Sequence, residues 1–320
     1  MKKSIAILTS GGDAQGMNSA IISVVKKAWK EEMDAYLIYD GYKGLINNDI
    51  KKATPELIEE RIQRGGTFLG SARLPEFAQI EVREKAVAVL KKRNIDSLVV
   101  IGGDGSYMGA AKLAEMGINT VGLPGTIDND ISSTDWTIGF DTALNIVVDS
   151  IDKIRETAKS HDRTKIVEVM GRYCGDLTMF AALATDSEIV SIPESKLSEE
   201  EIIERVKELK KKKARPIMII VTEHLYNVHE LAKRIQSETG AESRAHILGY
   251  TQRGGTPTAM DRVRAALLAE EAVNKINEGK SGICLGWVNG KIKDFDIIKA
   301  VKKKNASRDA LINKIRLLQK

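Results

Sequence analysis

Three features of the sequence predict an α/β protein made of two doubly wound lobes of mostly parallel sheet. Short apolar segments alternate with longer segments of helical periodicity, which is typical of repeated strand–helix units. The apolar segment 96–101 is continuous rather than alternating, as in a sheet covered on both faces. The 320 residues exceed what one small core needs and fit two α/β lobes.

The first half of the chain supplies seven predicted elements. Apolar residues between Ile21 and Ala28 recur at helical spacing, so this segment is predicted to lie in a helix. Strands are expected at 4–9, 35–39, 96–101 and 120–123, and helices at 17–30, 81–92 and 106–116.

The second half repeats the alternation. Strands are expected at 164–170 and 216–221, helices at 199–213, 225–240 and 261–277, and 244–248 leads into a polar turn. The chain shows no Ser/Pro-rich linker, no low-complexity segment and no short-period repeat. Two lobes would therefore have to share chain crossings.

Composition places the chain among ordinary globular proteins, with 42% hydrophobic and 29% charged residues. Aromatic residues make up only 5%, which disfavours binding of single-stranded nucleic acid by base stacking. The net charge of +5 suits anionic ligands, although ordinary surface lysines also account for it. The lysine runs at 210–213 and 302–304 are interpreted as solvated helix ends, so we expect no nucleic-acid partner.

Cysteine usage and hydropathy predict a cytoplasmic protein. Cys174 and Cys284 form neither a metal-binding spacing nor a disulfide framework, which suits a reducing compartment. The apolar run behind the first lysines spans only residues 5–8, too few for a secretory leader. No apolar stretch approaches the roughly 20 residues that a membrane helix needs, so we expect no membrane association.

Polar and glycine-rich clusters follow the predicted strands repeatedly. They are Gly11-Gly12-Asp13, residues 102–106, residues 124–130, Gly171-Arg172, Thr222-Glu223 and residues 252–255. In open α/β sheets ligands bind at the carboxyl ends of the strands, so these clusters together form the candidate site.

Two clusters have the pattern of an anion-binding turn. Gly11-Gly12 and the GGDGS run at 102–106 each stand between a strand and a helix, where backbone N–H groups can approach an anion. Neither matches the phosphate-loop or dinucleotide patterns. Asp104 would repel a phosphate unless a divalent cation lay between them, so Asp104 is the candidate Mg²⁺ ligand. Capping of the following helix is the structural alternative.

The segment 126–130 holds two carboxylates two residues apart, Asp128 and Asp130. One can take a proton from a hydroxyl while the other faces a cation or orients the first. In phosphoryl transfer an aspartate near the acceptor hydroxyl is the usual base. An Asx-rich turn is the structural alternative.

Several arginines fall in or beside turns, namely Arg73, Arg163, Arg172, Arg244 and Arg253. Arginine binds phosphate bidentately and keeps its charge. Any single one is better explained as a surface residue, but several beside glycine turns and a candidate cation ligand indicate two phosphorylated ligands. The residues alone therefore predict a Mg²⁺-dependent kinase with a phosphorylated acceptor.

At these motifs the chain resembles bacterial ATP-dependent 6-phosphofructokinases, over essentially its whole length. The signatures are LTSGGDAQGMN (8–18), GGTFLGSAR (65–73), VVIGGDGSYMGA (99–110), GLPGTIDND (122–130), EVMGRYCGDL (168–177) and QRGGTP (252–257). The resemblance implies two lobes with the active site between them. It also implies Mg²⁺-dependent transfer of the ATP γ-phosphoryl group to the 1-hydroxyl of fructose 6-phosphate, a step of glycolysis.

The resemblance further implies roles for individual residues. ATP would be contacted by Gly12, Tyr42, Arg73, Leu74, Gly103, Gly105, Ser106 and Gly109, with Asp104 on Mg²⁺. Asp128 would be the base, with Thr126 and Asp130 supporting the transfer geometry and Arg172, with the Gly11 and Gly12 amides, stabilising the transferring group. The sugar phosphate would be held by Met170, Gly171, Glu223, Arg163, Arg244 and Arg253.

The resemblance also implies a homotetramer. In the family, the residues corresponding to Arg163 and Arg244 come from a neighbouring subunit, which gives a route to cooperativity in fructose 6-phosphate. The larger, ATP-binding lobe would span about 1–138 plus 251–305, and the smaller, sugar-phosphate lobe about 139–250 plus 306–320.

Some positions depart from the family pattern. Tyr250 stands where a histidine usually lies near the 6-phosphate, and we expect weaker sugar-phosphate binding because tyrosine cannot carry a positive charge. At the family's effector site, where ADP activates and phosphoenolpyruvate inhibits, Ile22 and Pro55 replace arginines and Ala214 replaces a lysine. We therefore expect weak or no inhibition by phosphoenolpyruvate. The effector positions that still match or nearly match are Lys26, Arg155, Glu188 and Lys212.

Other functions stay open at this point. A pyrophosphate-dependent phosphofructokinase typically has aspartate at the position of Gly105 and lysine at that of Gly125, so the two glycines favour ATP. A lipid or NAD kinase shares the GGDG loop but would lack the clusters at 126–130 and 170–172. A catalytically silent, ligand-sensing subunit would have lost the base or the metal residue, and both are present.

Overall fold

The computed structural model describes residues 3–161, 163–214 and 216–302. The chain divides into two compact units, each assembled from separate stretches of sequence. Among the described residues, unit 1 holds the chain up to Ile127, Ile131–Thr142 and the chain from Arg253, and unit 2 holds Asp128–Asp130 and Ala143–Gln252. The stretch 306–320, expected in the smaller lobe, lies outside the described residues.

The described elements follow one another as alternating strands and helices. The strands are β1 (Ser4–Ser10), β2 (Asp34–Ile38), β3 (Ile50–Lys52), β4 (Ser97–Gly102), β5 (Asn119–Thr126), β6 (Ile138–Gly139), β7 (Thr164–Val169), β8 (Ile189–Ser191), β9 (Ile217–Thr222), β10 (Ser243–Ile247), β11 (Ile283–Val288) and β12 (Lys291–Asp296). The helices are α1 (Met17–Lys30), α2 (Gly41–Ile46), α3 (Pro55–Ile58), α4 (Ile80–Lys92), α5 (Asp104–Glu115), α6 (Phe140–His161), α7 (Asp176–Ala184), α8 (Glu199–Lys211), α9 (Val228–Thr239), α10 (Ala259–Asn277) and α11 (Ile297–Lys302), with 3₁₀ turns at Pro75–Ala78 and Gly249–Arg253.

Unit 1 is built on one twisted sheet of order β12-β11-β5-β4-β1-β2-β3, with β6 paired to β5. The central strands run parallel, and only the edge strands β3 and β12 pair antiparallel with their neighbours. All of β1 is buried, and both Ile7 and Leu8, which point to opposite faces, are 0% exposed. A central strand buried on both faces explains why the sequence is continuously apolar there.

Unit 2 is built on a smaller parallel sheet of order β10-β7-β9-β8. One face carries Ile166, Ile219 and Val221, which pack with buried residues of α8 and α9 into a single hydrophobic core. The other face carries Lys165 and Val167, because successive residues of a strand point to opposite faces. β7 lies between β10 and β9, so the neighbours of Lys165 and Val167 on that face come from these two strands.

A buried carboxylate ties two helix starts together inside unit 1. Asp261, 0% exposed in the first turn of α10, accepts hydrogen bonds from the Gly139 amide (3.0 Å), the Thr142 amide (2.8 Å) and the Thr142 hydroxyl (2.5 Å). Burial raises the pKa of Asp261, and these hydrogen bonds oppose that effect. Asp261 therefore fixes where α6 begins.

The predicted fold class is confirmed, and most predicted elements occur within a few residues of their expected bounds. The helix expected at 17–30 coincides with α1. Sequence analysis assigned nothing at 140–161, where the structure has the 22-residue helix α6. It also missed α7 and the β11–β12 hairpin. No helix of the described part of the chain is long and apolar enough to cross a membrane.

Candidate active site

The first glycine cluster lies directly behind β1, in unit 1. Gly11 has a φ of +89°, a left-handed conformation that favours glycine, and its carbonyl accepts a hydrogen bond of 2.6 Å from the Ser71 hydroxyl. Arg253 lies against the same turn, where its guanidinium donates to the Asp13 carbonyl at 3.1 Å. A Cβ atom at position 12 would overlap that guanidinium, so Gly12 is required for this contact.

The GGDGS cluster differs from the sequence prediction in one respect. The helix expected from residue 106 begins at Asp104, so Asp104 and Gly105 belong to the first turn of α5 and Gly103 is the N-cap residue. The reason is local, since the Gly103 carbonyl accepts from the Ser106 and Tyr107 amides at 2.9 and 3.0 Å and closes the turn. The Ser106 hydroxyl donates to the Ser10 carbonyl at 3.0 Å, which holds α5 to the end of β1.

Gly105 and Gly125, the two glycines expected to favour ATP over pyrophosphate, differ in what surrounds them. A Cβ atom at Gly105 would meet no protein atom within 4 Å, and neither would one at Gly103. A Cβ atom at Gly125 would lie 2.9 Å from side-chain atoms of both Ile101 and Met17. Packing inside the chain therefore explains Gly125, whereas no neighbour in the described chain explains Gly105.

Tyr42 supports the GGDGS turn from the protein interior. Its ring is 4% exposed and stacks on Phe77 at 4.1 Å, and its hydroxyl donates to the Ser106 carbonyl at 2.6 Å. Burial raises the pKa of Tyr42 well above its usual value, so the hydroxyl stays protonated. A Cβ atom at Gly109 would collide with the Tyr42 ring, so the packing of Tyr42 requires Gly109. Of the other expected ATP contacts, Arg73 is exposed and Leu74 packs on the core of unit 1.

The segment around the candidate base is a strained, buried turn. Thr126 ends β5, and its carbonyl accepts from the Thr137 hydroxyl at 2.6 Å. Asp128 is 8% exposed, and Asn129 has a φ of +52°, which places it in the left-handed region. The Asn129 amide donates to the Asp176 carboxylate at 2.8 Å, within unit 2. This contact stabilises the turn that orients the carboxylates of Asp128 and Asp130 on either side of Asn129.

The Gly171-Arg172 turn in unit 2 is organised by Glu223. Gly171 and Arg172 have φ values of +138° and +56°, and Glu223 Oε1 accepts from both of their amides, at 3.2 and 2.9 Å. The Arg172 guanidinium is exposed and lies over the ring of Tyr173, 5.4 Å from its centre. Glu223, expected to hold the sugar, therefore also holds the backbone that presents Arg172.

A cavity of about 170 Å³ opens beside this turn within unit 2. Its lining includes Glu168, Met170, Glu223, Tyr250 and Gln252. The Gln252 side chain is fully buried and joins the Met170 amide (3.1 Å) to the Gly249 carbonyl (2.9 Å). Burial raises the pKa of Glu168, and the nearby charge of Glu223 adds to the effect. The cavity therefore combines carboxylate acceptors with a rigid floor, which suits a hydroxyl-rich ligand.

Arg163 and Arg244 share one acidic partner in unit 2. Glu242 lies 2.9 Å from the Arg163 guanidinium and 3.3 Å from that of Arg244. Arg244 pairs across the sheet with Lys165, which is 5% exposed. Arg163, Lys165 and Arg244, with Glu242, thus form a basic cluster in unit 2.

The remnant effector positions lie in both units. Lys26 in unit 1 and Lys212 in unit 2 are exposed. Arg155 donates to the Thr185 carbonyl at 2.7 Å and pairs with Glu188 at 3.4 Å, while Glu188 accepts from the Met218 amide. The Arg155 guanidinium is thus engaged by its own chain.

The three residues that depart from the family pattern at the effector positions differ in burial. Ile22 is only 6% exposed, and Ala214 packs on the core of unit 2. Pro55 is exposed at the start of α3.

Several supporting residues received no role of their own in the sequence analysis, although Gln252 lies in the cluster at 252–255. Ser71, Asp176 and Gln252 hold the turns that carry candidate site residues, and Glu168 lines the cavity. All four residues lie inside the quoted motifs, so the signal was present, but only the tertiary contacts assign them a role.

The described residues contain no group of three or more His, Cys, Asp or Glu side chains arranged to hold a metal ion. Mg²⁺ in kinases is commonly held by one or two carboxylates together with substrate phosphates. Asp104, half-buried in the first turn of α5 beside two glycines with open surroundings, fits that kind of site.

Comparisons with known proteins identify the family. The family model "Phosphofructokinase" matches residues 4–276. The chain is 51% identical over 301 residues to a protein of Aliivibrio salmonicida and 52% identical over 309 residues to one of Spiroplasma citri, both named ATP-dependent 6-phosphofructokinase. These matches cover 94% and 96% of this chain and 94% of each relative.

A solved structure agrees with these matches. Phosphofructokinase from Saccharomyces cerevisiae superposes with a TM-score of 0.87 at 35% identity over 98% of this chain. The chain spans about half of the yeast chain's own length, 47%. With a family model covering most of its length and bacterial relatives at about half identity, the chain belongs to the phosphofructokinase family.

Proposed function

We propose that this chain is an ATP-dependent 6-phosphofructokinase, which transfers the γ-phosphoryl group of ATP to the 1-hydroxyl of fructose 6-phosphate in glycolysis. The observation that carries the proposal is the similarity to bacterial proteins of that name, about half identical over 94% of both lengths. The open surroundings of Gly105 add support, because they leave room for a nucleotide where pyrophosphate-dependent relatives typically have an aspartate.

On the donor side, the GGDGS turn binds the phosphates of ATP. The amides at the start of α5 point toward an anion, and Gly103 lets it approach the backbone. Asp104 would hold Mg²⁺, and the bound ion would supply positive charge to neutralise the phosphates. The buried Tyr42 hydroxyl holds the first turn of α5 in place by its hydrogen bond to the Ser106 carbonyl. Arg73 and Leu74 complete the contacts with the nucleotide.

On the acceptor side, Asp128 is the base. It takes the proton of the 1-hydroxyl as that oxygen bonds to the γ-phosphorus and the bridging oxygen leaves on ADP. Burial at 8% exposure and the Asn129–Asp176 contact keep this carboxylate in one orientation. Thr126 and Asp130 support the geometry. Arg172 stabilises the transferring group together with the amides of the Gly11-Gly12 turn.

The sugar phosphate is bound by the remaining residues. Met170 and Glu223 line the cavity of unit 2. The Glu223 carboxylate and the Met170 backbone carbonyl accept hydrogen bonds from the sugar hydroxyls. Tyr250 offers a single hydroxyl at the cavity mouth. Arg163, Arg244 and Arg253 bind the phosphate, the first two across a subunit boundary of a cytoplasmic homotetramer, and this sharing permits cooperativity.

Regulation by phosphoenolpyruvate is weak or lost in this proposal. Ile22, Pro55 and Ala214 supply no charge, and each lost charged hydrogen bond costs roughly 1.5–3 kcal/mol. The Arg155 guanidinium, moreover, is already engaged by residues 185–188. Inhibition by sub-millimolar phosphoenolpyruvate at near-neutral pH would contradict this part of the proposal.

The donor is tested by a coupled assay for fructose 1,6-bisphosphate with Mg²⁺, fructose 6-phosphate and either ATP or pyrophosphate. We expect turnover with ATP alone. Turnover with pyrophosphate would overturn the donor assignment, and no turnover with either donor would favour a silent subunit.

The role of Gly105 is tested by Gly105→Asp, with Gly105→Ala as the matched control. A Cβ atom fits at this position, so both variants should fold. The added carboxylate repels the α-phosphate, so KM for ATP should rise at least about tenfold in Gly105→Asp and change little in Gly105→Ala. Equal effects in both variants would mean that bulk rather than charge matters.

A further inference from the structure

The segment that follows Arg253 is held to the start of α1 by a buried glutamine. Gln15 is 0% exposed, and its side-chain amide donates a hydrogen bond of 2.6 Å to the Gly254 carbonyl. Gly254 and Gly255 themselves are exposed and lie outside regular secondary structure. Burial of these two glycines therefore does not fix the segment, and the hydrogen bond from Gln15 has that effect instead.

A second hydrogen bond joins the same two segments in the opposite direction. The Arg253 guanidinium donates to the Asp13 carbonyl at 3.1 Å, two residues before Gln15. The side chain of Arg253 is 19% exposed and lies against Gly12, where a Cβ atom would overlap it. The guanidinium of Arg253 is thus held by Asp13. The backbone that follows it is held through Gly254 by Gln15.

The backbone of Gln15 is itself fixed by packing inside unit 1. Gln15 precedes Gly16, the N-cap residue of α1, which has a φ of +98° and whose carbonyl accepts from the Ala20 amide at 3.1 Å. A Cβ atom at Gly139 would lie 2.6 Å from the Ala14 Cβ atom and 3.2 Å from the Gln15 nitrogen. Such close packing leaves Gln15 little freedom, so its side chain can hold another segment in a defined position.

Packing alone does not explain a glutamine at this position. An apolar side chain of similar shape would fill the same volume without the cost of burying an amide. What the amide adds is the hydrogen bond to Gly254, which fixes the residue directly after Arg253. Arg253 is one of the proposed ligands of the acceptor phosphate, so the contact bears on how the acceptor is bound.

We propose that Gln15 is a positioning residue for binding of the acceptor. By holding Gly254 it keeps the Arg253 guanidinium against the Gly12-Asp13 turn, so that the phosphate of the acceptor meets Arg253 in one orientation. This role rests on the proposed function, which makes Arg253 a ligand of that phosphate. Gln15 acts through Arg253, so its loss weakens binding of the acceptor and leaves binding of ATP unchanged.

Steady-state kinetics of the full-length protein test this role with Gln15→Met, which nearly keeps the length and volume of the side chain and removes the donor. KM for fructose 6-phosphate should rise roughly fivefold, because one neutral hydrogen bond is lost. KM for ATP and kcat at saturation should change little, because the chemical step does not involve Gln15. An unchanged KM for fructose 6-phosphate, or an equal rise in both KM values, would overturn the proposal.

The matched control is Thr120→Val, which removes another buried hydrogen bond of unit 1, from the Thr120 hydroxyl to the Ala110 carbonyl. Both variants should lower Tm of the ligand-free protein by about 2 °C. Thr120→Val should nevertheless keep both wild-type KM values. A purely structural Gln15 would behave like this control. Gln15→Glu, which keeps the length of the side chain but lacks the amide donor, repeats the measurement if Gln15→Met does not fold.

A double-mutant cycle shows whether Gln15 acts through Arg253. Arg253→Ala alone should lower kcat/KM for fructose 6-phosphate roughly tenfold to hundredfold, because a charged hydrogen bond is lost. In that background Gln15→Met should have no further effect on kcat/KM, since the side chain that it positions is gone. Two losses that multiply as independent effects would contradict the proposal.

Calorimetric binding of fructose 6-phosphate distinguishes failure of the inference from failure of the proposed function. Normal wild-type turnover, with KM and Kd for fructose 6-phosphate unchanged in Gln15→Met, would overturn the inference and leave the function in place. A wild type without turnover, whose Kd for fructose 6-phosphate rises roughly fivefold in Gln15→Met, would keep the positioning role and overturn the function. A wild type that neither turns over nor binds fructose 6-phosphate would overturn both.

Discussion

At the scale of single residues, the candidate site depends on left-handed backbone conformations that residues other than glycine rarely adopt. Asn129 and Arg172 have positive φ. Asn129 lies between Asp128 and Asp130, and Arg172 itself is proposed to stabilise the transferring group. Side chains elsewhere hold these turns, Asp176 for the first and Glu223 for the second. The positions adjacent to the chemistry are therefore fixed by acceptors that come from later in the chain.

Asp128→Asn tests the proposed base. The amide keeps the shape of the side chain but cannot accept the hydroxyl proton, so kcat should fall by roughly 10²- to 10⁴-fold. KM for fructose 6-phosphate and Tm should change little. Asp149→Asn, an exposed aspartate of α6, is the control and should keep wild-type kcat. A kcat for Asp128→Asn within threefold of the wild type would exclude Asp128 as the base.

At the scale of elements, the start of α5 differs from the sequence prediction and places Asp104 in the helix. Sequence analysis placed the helix at residue 106, because the glycines in GGDGS suggest a loop. The structure starts α5 at Asp104, because the Gly103 carbonyl closes the first turn and Ser106 binds the end of β1. Asp104 thereby sits at the helix N-terminus, where a carboxylate is favoured by the helix dipole.

Tyr42→Phe tests whether the support beneath α5 matters for the nucleotide. Loss of the hydroxyl bond to the Ser106 carbonyl should cost about 1 kcal/mol of unfolding free energy, seen in chemical denaturation. KM for ATP should rise roughly fivefold with KM for fructose 6-phosphate unchanged. Tyr36→Phe, a half-buried tyrosine of β2, serves as the control. Equal changes in both KM values would mean that the effect is general rather than local to α5.

At the scale of the whole molecule, each unit is assembled from separate stretches of chain. Residues 128–130 belong to unit 2, although the strand that leads into them belongs to unit 1. Arg253 lies on the Gly12–Asp13 turn of unit 1, whereas Arg163 and Arg244 lie in unit 2. Residues proposed for one ligand are thus supplied by distant segments of sequence.

Subunit hybrids test the proposal that active sites are shared in a homotetramer. Asp128→Asn and Arg163→Ala should each be nearly inactive alone. Mixed by refolding at equal amounts, they should recover about a quarter of wild-type activity, because some sites then combine an intact Asp128 with a neighbour's intact Arg163. Light scattering should give the mass of four chains. Recovery of no activity, with hybrids formed, would place both residues in one subunit's site.

The sequence by itself determined the fold class, the order of most strands and helices, the family and the segments proposed to carry the chemistry. It could do so because buried strands need continuous apolar residues and because polar clusters behind strands fall at one edge of a parallel sheet. The helix at 140–161 escaped, and its start is fixed by the distant carboxylate of Asp261.

Only the tertiary structure decided the contacts that join distant segments. It showed that Gly125 is required by packing and Gly105 is not, that Arg155 is engaged by its own chain, and that Lys165 is buried among like charges. Sequence spacing cannot supply these facts, because they depend on which side chains meet across a sheet or a turn. The burial and the charge of the side chains in these contacts determine the free energies on which binding depends.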